Sequence, residues 1–190
     1  GLERKTKLDA FEAGNTWVKA FYAKHTFEVD FISEGNAWEV ERIIKKVYID
    51  PATRTQAKTD IESADVAIYG KRVLTMAKQE GKGWFAIMLG KHISYKTEIP
   101  AYILDAILFA KETYSSNIVA DIIQYRMNKH FEADNALDFT SCKAELLKYR
   151  NGTNKLEDLA FDFDLVLPDD QILTLIDKLK WLCLFGRKTV

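Results

Sequence analysis

From Val40 to Leu182 apolar residues recur at spacings of three and four, and only three prolines and nine glycines interrupt the whole chain. A chain patterned in this way can bury its apolar side chains in one continuous stripe only as a succession of amphipathic helices. Val40, Ile43, Ile44 and Val47 predict a helix from about Ala37 to Tyr48, with Asn36 at its cap. Val66, Tyr69, Val73, Leu74 and Ala77 predict a second over 64–79, and Phe85, Met88, Leu89 and Ile93 a third over 82–93. Pro51, favourable at a first helical position, opens a polar stretch over 52–63 that reads as a solvated helix. Pro100 starts another, striped by Ile103, Ala106, Ile107 and Ala110. Further helices are expected over 116–129, 140–149 and 169–185, the last capped by Asp169 or by Pro168-Asp169. Residues 2–13 carry a weak helical or extended signal. One segment stands apart: Trp17 to Tyr22, after the Gly14-Asn15 turn, is rich in aromatic and small apolar residues and reads as a strand. Thr26 to Phe31 extends it or begins a new element. Phe161 and Phe163 alternate with Asp162 and Asp164, the pattern of an amphipathic strand or turn. The expected fold is mainly α with a small β component near the N-terminus.

Composition narrows the function classes. A length of 190 residues suits one domain with a helical annex, and 47% hydrophobic content argues against disorder. With 27 basic and 28 acidic residues the formal charge is −1, so any nucleic-acid contact must be a local patch rather than a basic coat. Cys142 and Cys183 match no metal spacing, and Cys183, in an apolar helical stretch, reads as a buried thiol in a reducing, cytoplasmic setting. His25, His92 and His130 have no i,i+4 partner, which argues against a zinc site. No apolar run approaches the roughly 20 residues a membrane span needs, and no signal peptide is expected. The first residue is Gly, and Leu2 to Phe11 reads like domain interior, so a piece of a longer protein is expected.

Two short motifs carry possible chemistry. Residues 26–31 read Thr-Phe-Glu-Val-Asp-Phe. On a strand, Glu28 and Asp30 would share a face about 7 Å apart, an arrangement suited to Mg²⁺ or Mn²⁺. The same alternation also describes the solvent face of an edge strand with Phe27, Val29 and Phe31 inward, which needs no metal. Gly81-Lys82-Gly83 precedes a helix; the glycines admit a close ligand, and the helix N-terminus and lysine together favour a phosphate. A solvated lysine at a glycine-bounded helix start is the plainer reading. No Walker A spacing is present, so no nucleotide site is expected. Lys71, Arg72 and Lys78 lie on the preceding helix, either as contacts to a DNA backbone or as a solvated face. His25 abuts Thr26 and Glu28 and could line the same cleft.

Taken together, in this order and 54 positions apart, "TFE" and "GKGWFA", followed by "IPAYILDAI", resemble the C-terminal part of the nuclease domain in the OLD family of ATP-dependent endonucleases. The resemblance covers roughly residues 16–112. It implies that residues 1–94 are the C-terminal half of a Toprim-like α/β domain and that 95–190 form a helical C-terminal subdomain. It further implies Glu28, with Asp30, as ligand or organiser of a second Mg²⁺ or Mn²⁺, Lys82 facing the scissile phosphate, and Thr26, Gly81 and Gly83 in support. DNA would be the substrate, an ATPase domain of the same longer protein the partner, homo-oligomers possible, and phage defence a setting. The family's first acidic residue and its Asp-x-Asp pair belong upstream of residue 1, and Glu3, Asp9 and Glu12 lack that spacing. The chain is therefore expected to carry half of a nuclease site and to be inactive alone. A second expectation, from a different class, is a helical interaction or dimerisation module using Trp181-Leu182-Cys183-Leu184-Phe185.

Overall fold

The computed structural model describes residues 2–15, 17–110 and 114–184, with side chains as far as Leu179. Eleven α-helices are present among them, and no strand. Packing divides the chain into two units, residues 1–107 and 108–190. In the first lie α1 (Leu2–Ala13), α2 (Phe27–Ser33), α3 (Ala37–Val47), α4 (Pro51–Ile61), α5 (Val66–Glu80) and α6 (Lys82–Gly90). The division falls within α7 (Ala101–Ala110). The second unit holds α8 (Ser116–Ala133), α9 (Thr140–Arg150), α10 (Leu156–Val166) and α11 (Gln171–Leu184). No described helix is long and apolar enough to cross a membrane.

The mainly helical expectation holds, and the Toprim α/β half does not. Residues 17–22 form no strand: they run as irregular chain over α1. A strand is stable only when a neighbour completes its hydrogen-bond ladder, and no other described segment offers one. Side chains of α1 satisfy this segment instead. Glu12 accepts from the Ala20 backbone N–H at 3.0 Å, Asp9 accepts from the Tyr22 hydroxyl at 2.7 Å, and Lys5 lies 4.6 Å from the Tyr22 ring centroid. Trp17, left without a sheet to pack on, is 78% exposed.

The core of the first unit forms where the apolar stripes converge. Val40, Ile43, Ile44 and Val47 of α3 are buried against Tyr69, Val73, Met76 and Ala77 of α5 and Phe85, Met88 and Leu89 of α6. Caps fix the helix starts: Asp50 accepts from the Thr53 N–H and Asp65 from the Ala67 N–H. Asn36 precedes α3 as expected but makes no side-chain cap. Its amide donates to the Phe31 and Glu98 carbonyls and accepts from the Glu98 N–H, tying the loop over 91–100 to α2 and α3. Two registers differ from the sequence reading. Helix α6 ends at Gly90, leaving Ile93 exposed in that loop, and α7 buries Leu104 and Leu108 while Ile107 is exposed.

Gly70 lies inside α5, where it faces α2. A methyl group there would sit 3.6 Å from both Val29 Cγ atoms, an ordinary contact. Glycine in a helix interior costs about 0.5–1 kcal/mol relative to alanine. Gly70→Ala is therefore expected to stabilise the chain by about that amount in urea unfolding, and a destabilisation above roughly 1 kcal/mol would show that α2 and α5 pack more tightly than this geometry allows.

In the second unit, Val119, Ile123 and Met127 of α8 are buried, as are Leu146, Leu159, Phe163, Ile172 and Ile176, where α8 packs on α9, α9 on α10 and α10 on α11. Residues 161–164 lie within α10 rather than in a strand or turn, because Leu159 and Phe163 recur four apart and both are buried. Phe161, on the other face, is exposed. Cys142 is buried, and burial pushes its thiol up to about 11. Side chains of 181–185, including Cys183 and the aromatic end expected to form an interface, lie outside the described residues.

At the start of α11 the backbone of Asp169 is left-handed, with φ 65°. The cap is the next residue: Asp170 accepts from the Ile172 N–H at 2.9 Å. Its carboxylate also takes two hydrogen bonds from Arg126, both 2.8 Å, and meets His130 Nε2 at 2.8 Å. Arg126 and His130 are i,i+4 on α8, so one face of that helix clamps the head of α11.

Candidate functional site

Thr26 begins α2. Its carbonyl accepts from the Val29 and Asp30 N–H groups at 3.1 and 3.0 Å, and the helix that follows is packed on α5 deeply enough to bury Glu28, Val29, Asp30, Phe31 and Ile32. This corrects the expectation that Glu28 and Asp30 share one strand face. On a helix, residues two apart point in different directions. The two carboxylates accordingly find different partners.

Asp30 turns back to His25. The His25 backbone N–H donates to both carboxylate oxygens, at 3.1 and 3.2 Å, and the ring Nδ1 lies 2.9 Å from Oδ1. Glu28 turns to Lys82, whose Nζ lies 3.1 Å from Oε1. Burial raises the Glu28 carboxyl, but its own backbone N–H, Lys82 and the Thr26 side chain hydrogen-bond it and hold it below its ordinary 4.5. Tyr102 of α7 stands close enough to feel both carboxylates; burial and the charges of Asp30 and Glu28 raise its phenol above 10.0. Sequence reasoning passed over Tyr102, although it lies inside the quoted "IPAYILDAI".

Lys82 is the first residue of α6, and its side chain is 67% exposed while that of Glu28 is 10% exposed. The pair is thus open on the lysine side. Gly81 joins α5 to α6 at φ 80° and ψ 132°, a conformation that L residues with a Cβ avoid. Gly83 is helical, and nothing lies within 4 Å of where a Cβ would stand, so the surface beside Lys82 is uncrowded. Gly81→Ala is expected to cost about 1–3 kcal/mol in chemical denaturation, and Gly83→Ala to cost nothing. Equal effects would contradict the separate roles assigned to the two glycines.

The fit to a divalent cation is partial. Asp30 is engaged by His25 at both oxygens and Glu28 by Lys82, so neither carboxylate is free to enclose an ion with the other. Among the described residues no group of three or more His, Cys, Asp or Glu side chains is placed to hold one. Glu28 fits as a single ligand in a site completed by other groups, once Lys82 leaves it.

The expected DNA contacts separate as well. Arg72 bonds Asp60 at 2.7 Å and the Tyr48 hydroxyl at 3.3 Å and is only 20% exposed, clamping α5 to α4. Lys71 and Lys78 are exposed on α5.

Comparison with protein-family models, characterised proteins and solved structures finds no match for this chain.

Proposed function

We propose that this chain is part of a divalent-metal-dependent DNA endonuclease of the OLD type, to which it contributes Lys82 and Glu28. The observation that supports this most is their meeting at 3.1 Å across 54 positions of sequence, with the lysine left exposed at a helix start. A buried carboxylate that merely needed neutralising would be better served by a buried cation. Here the cation stands at the surface, on a flexible stem, at the first turn of α6, which has no side-chain cap, and next to a glycine that leaves room for a ligand.

In this reading Glu28 parks Lys82 in the absence of DNA. When a phosphodiester approaches, the ammonium moves from the carboxylate to a non-bridging phosphate oxygen and stabilises the charge that develops during hydrolysis. Mg²⁺ or Mn²⁺ would supply activation of water and stabilisation of the leaving oxygen. The freed Glu28 carboxylate is the group of this chain that would touch the ion. The other ligands, and the ATPase that would gate the reaction, would come from outside these residues, and prokaryotic or phage defence would be the setting.

The chain by itself is then expected not to cut DNA. Supercoiled plasmid incubated with the purified 190-residue protein and Mg²⁺ or Mn²⁺ should stay intact. Robust metal-dependent nicking that co-purifies with the chain would show that the site is complete without further carboxylates.

A further inference from the structure

The outer face of α3 carries a run of cations that the site above does not use. Trp38, Arg42 and Lys46 follow one another at i, i+4 and i+8 on the side opposite the buried stripe, with Lys45 adjoining, and Arg42, Lys45 and Lys46 are all exposed. Arg42 stacks on the Trp38 ring, 4.3 Å from its centroid. Helix α6 packs against α3 and brings Lys91, its C-cap, and His92 to the same edge. The loop is fixed there because Thr97 donates to the buried Glu39 of α3 at 2.9 Å. Arg42, Lys46 and Lys91 all lie near enough to His92 to make its protonation less favourable, after the larger effect of burial. Its Nε2 is buried with no hydrogen-bond partner.

Among the described residues no carboxylate forms an ion pair with Arg42, Lys45, Lys46 or Lys91. The two acids of α3 are otherwise committed: Glu41 holds Lys58 on α4, and Glu39 is fully buried beneath Thr97. Lys5, Lys7, Lys58 and Lys148, by contrast, are each paired with a carboxylate. A protein of net charge −1 that leaves four cations of one edge unneutralised presents a surface complementary to a polyanion.

We infer that Trp38, Arg42, Lys45, Lys46 and Lys91 form a docking surface for the sugar-phosphate backbone of DNA. Phosphates spaced along a strand can each take one cation of the stripe, and the indole beneath Arg42 holds the guanidinium outward. The choice of DNA as the polyanion rests on the endonuclease reading; the cationic surface does not. Contacts of this kind carry no sequence information, so the surface would position a duplex and leave its sequence unread.

The test is fluorescence anisotropy of a labelled DNA duplex with the 190-residue chain, which needs no cleavage. Wild type should bind with an affinity that falls steeply with salt. Lys46→Gln with Lys91→Gln should weaken binding about tenfold or more at 0.1 M salt and lower the slope of log K against log[salt] by about 2, since each phosphate contact contributes roughly 0.9. Unfolding midpoints of the exposed-site variants should match wild type, excluding misfolding as the cause. Undiminished affinity and slope in the double variant would overturn the proposal, as would failure of wild type to bind DNA at all. Binding of phosphatidylserine vesicles in preference to DNA would reassign the surface and overturn it equally. Lys148→Gln, at an exposed lysine of the second unit, should leave this binding within about threefold, which separates the patch from a general effect of net charge; the cleavage role of Lys82 is read in a different assay and stands or falls separately.

Discussion

Asp170→Ala should destabilise the second unit by about 3–5 kcal/mol, the cost of removing one partner of a buried, hydrogen-bonded ion pair. The carboxylate accepts two hydrogen bonds from Arg126, meets His130 and caps α11 through the Ile172 N–H. Its side chain is 6% exposed and that of Arg126 13%. Removing it strands a buried guanidinium and leaves a helix start uncapped, and the two costs add to more than a surface pair could. Hydrogen exchange should show lost protection in α8 and α11 first. Exchange unchanged in both helices would mean that Arg126 finds another acceptor. The pH dependence has a definite sign. Burial raises the Asp170 carboxyl, but Arg126, the Ile172 N–H and His130 outweigh it and hold the group below its ordinary 3.8. A depressed folded value means that the unfolded chain binds the proton first. The stabilisation is therefore complete above about pH 4 and is lost as pH falls through the lowered folded value.

The second large effect concerns catalysis. In the longer protein to which the proposal assigns this chain, Lys82→Ala should lower the cleavage rate by about 10²–10³, the loss typical when one preorganised charge-stabilising group is removed. Stability should hardly change. Lys82 is 67% exposed, and a largely solvated ion pair contributes little to folding. Unfolding within about 1 kcal/mol of wild type, together with DNA affinity close to wild type, would place the loss in the chemical step. Wild-type cleavage by Lys82→Ala would remove the main support for the endonuclease reading.

The helical part of the fold was legible because three-and-four spacing admits few alternatives. The stripe of α3 was read residue for residue, and all four of its members are buried. What misled was local alternation without a ladder to complete it. Residues 26–31 alternate acidic and apolar side chains as a strand would, yet Phe27 and Phe31 are also i,i+4, and their rings meet at 5.6 Å on one side of α2. Six residues cannot separate the two periods. The aromatic run over 17–22 has strand composition, but composition does not supply a neighbour. The pairing of Glu28 with Lys82 followed from the resemblance and not from periodicity. Asp170 was missed for a different reason. Arg126 and His130 at i,i+4 announce a shared partner, but nothing in sequence says that it lies 44 positions from Arg126, and the Asp169-Asp170 doublet hides which residue caps. The cationic edge was hidden too, since Arg42, Lys46 and Lys91 become neighbours only when α6 packs on α3.

In the proposed reaction Glu28 and Lys82 act as one unit. Single-turnover cleavage by the longer protein carrying Lys82→Ala, Glu28→Gln and both substitutions measures this directly. Groups that serve the same step are strongly non-additive. The double variant is expected to lose scarcely more rate than the worse single variant. Losses that multiply, or a Glu28→Gln protein cleaving at the wild-type rate, would show that the 3.1 Å pair is an ordinary ion pair with no shared part in the reaction.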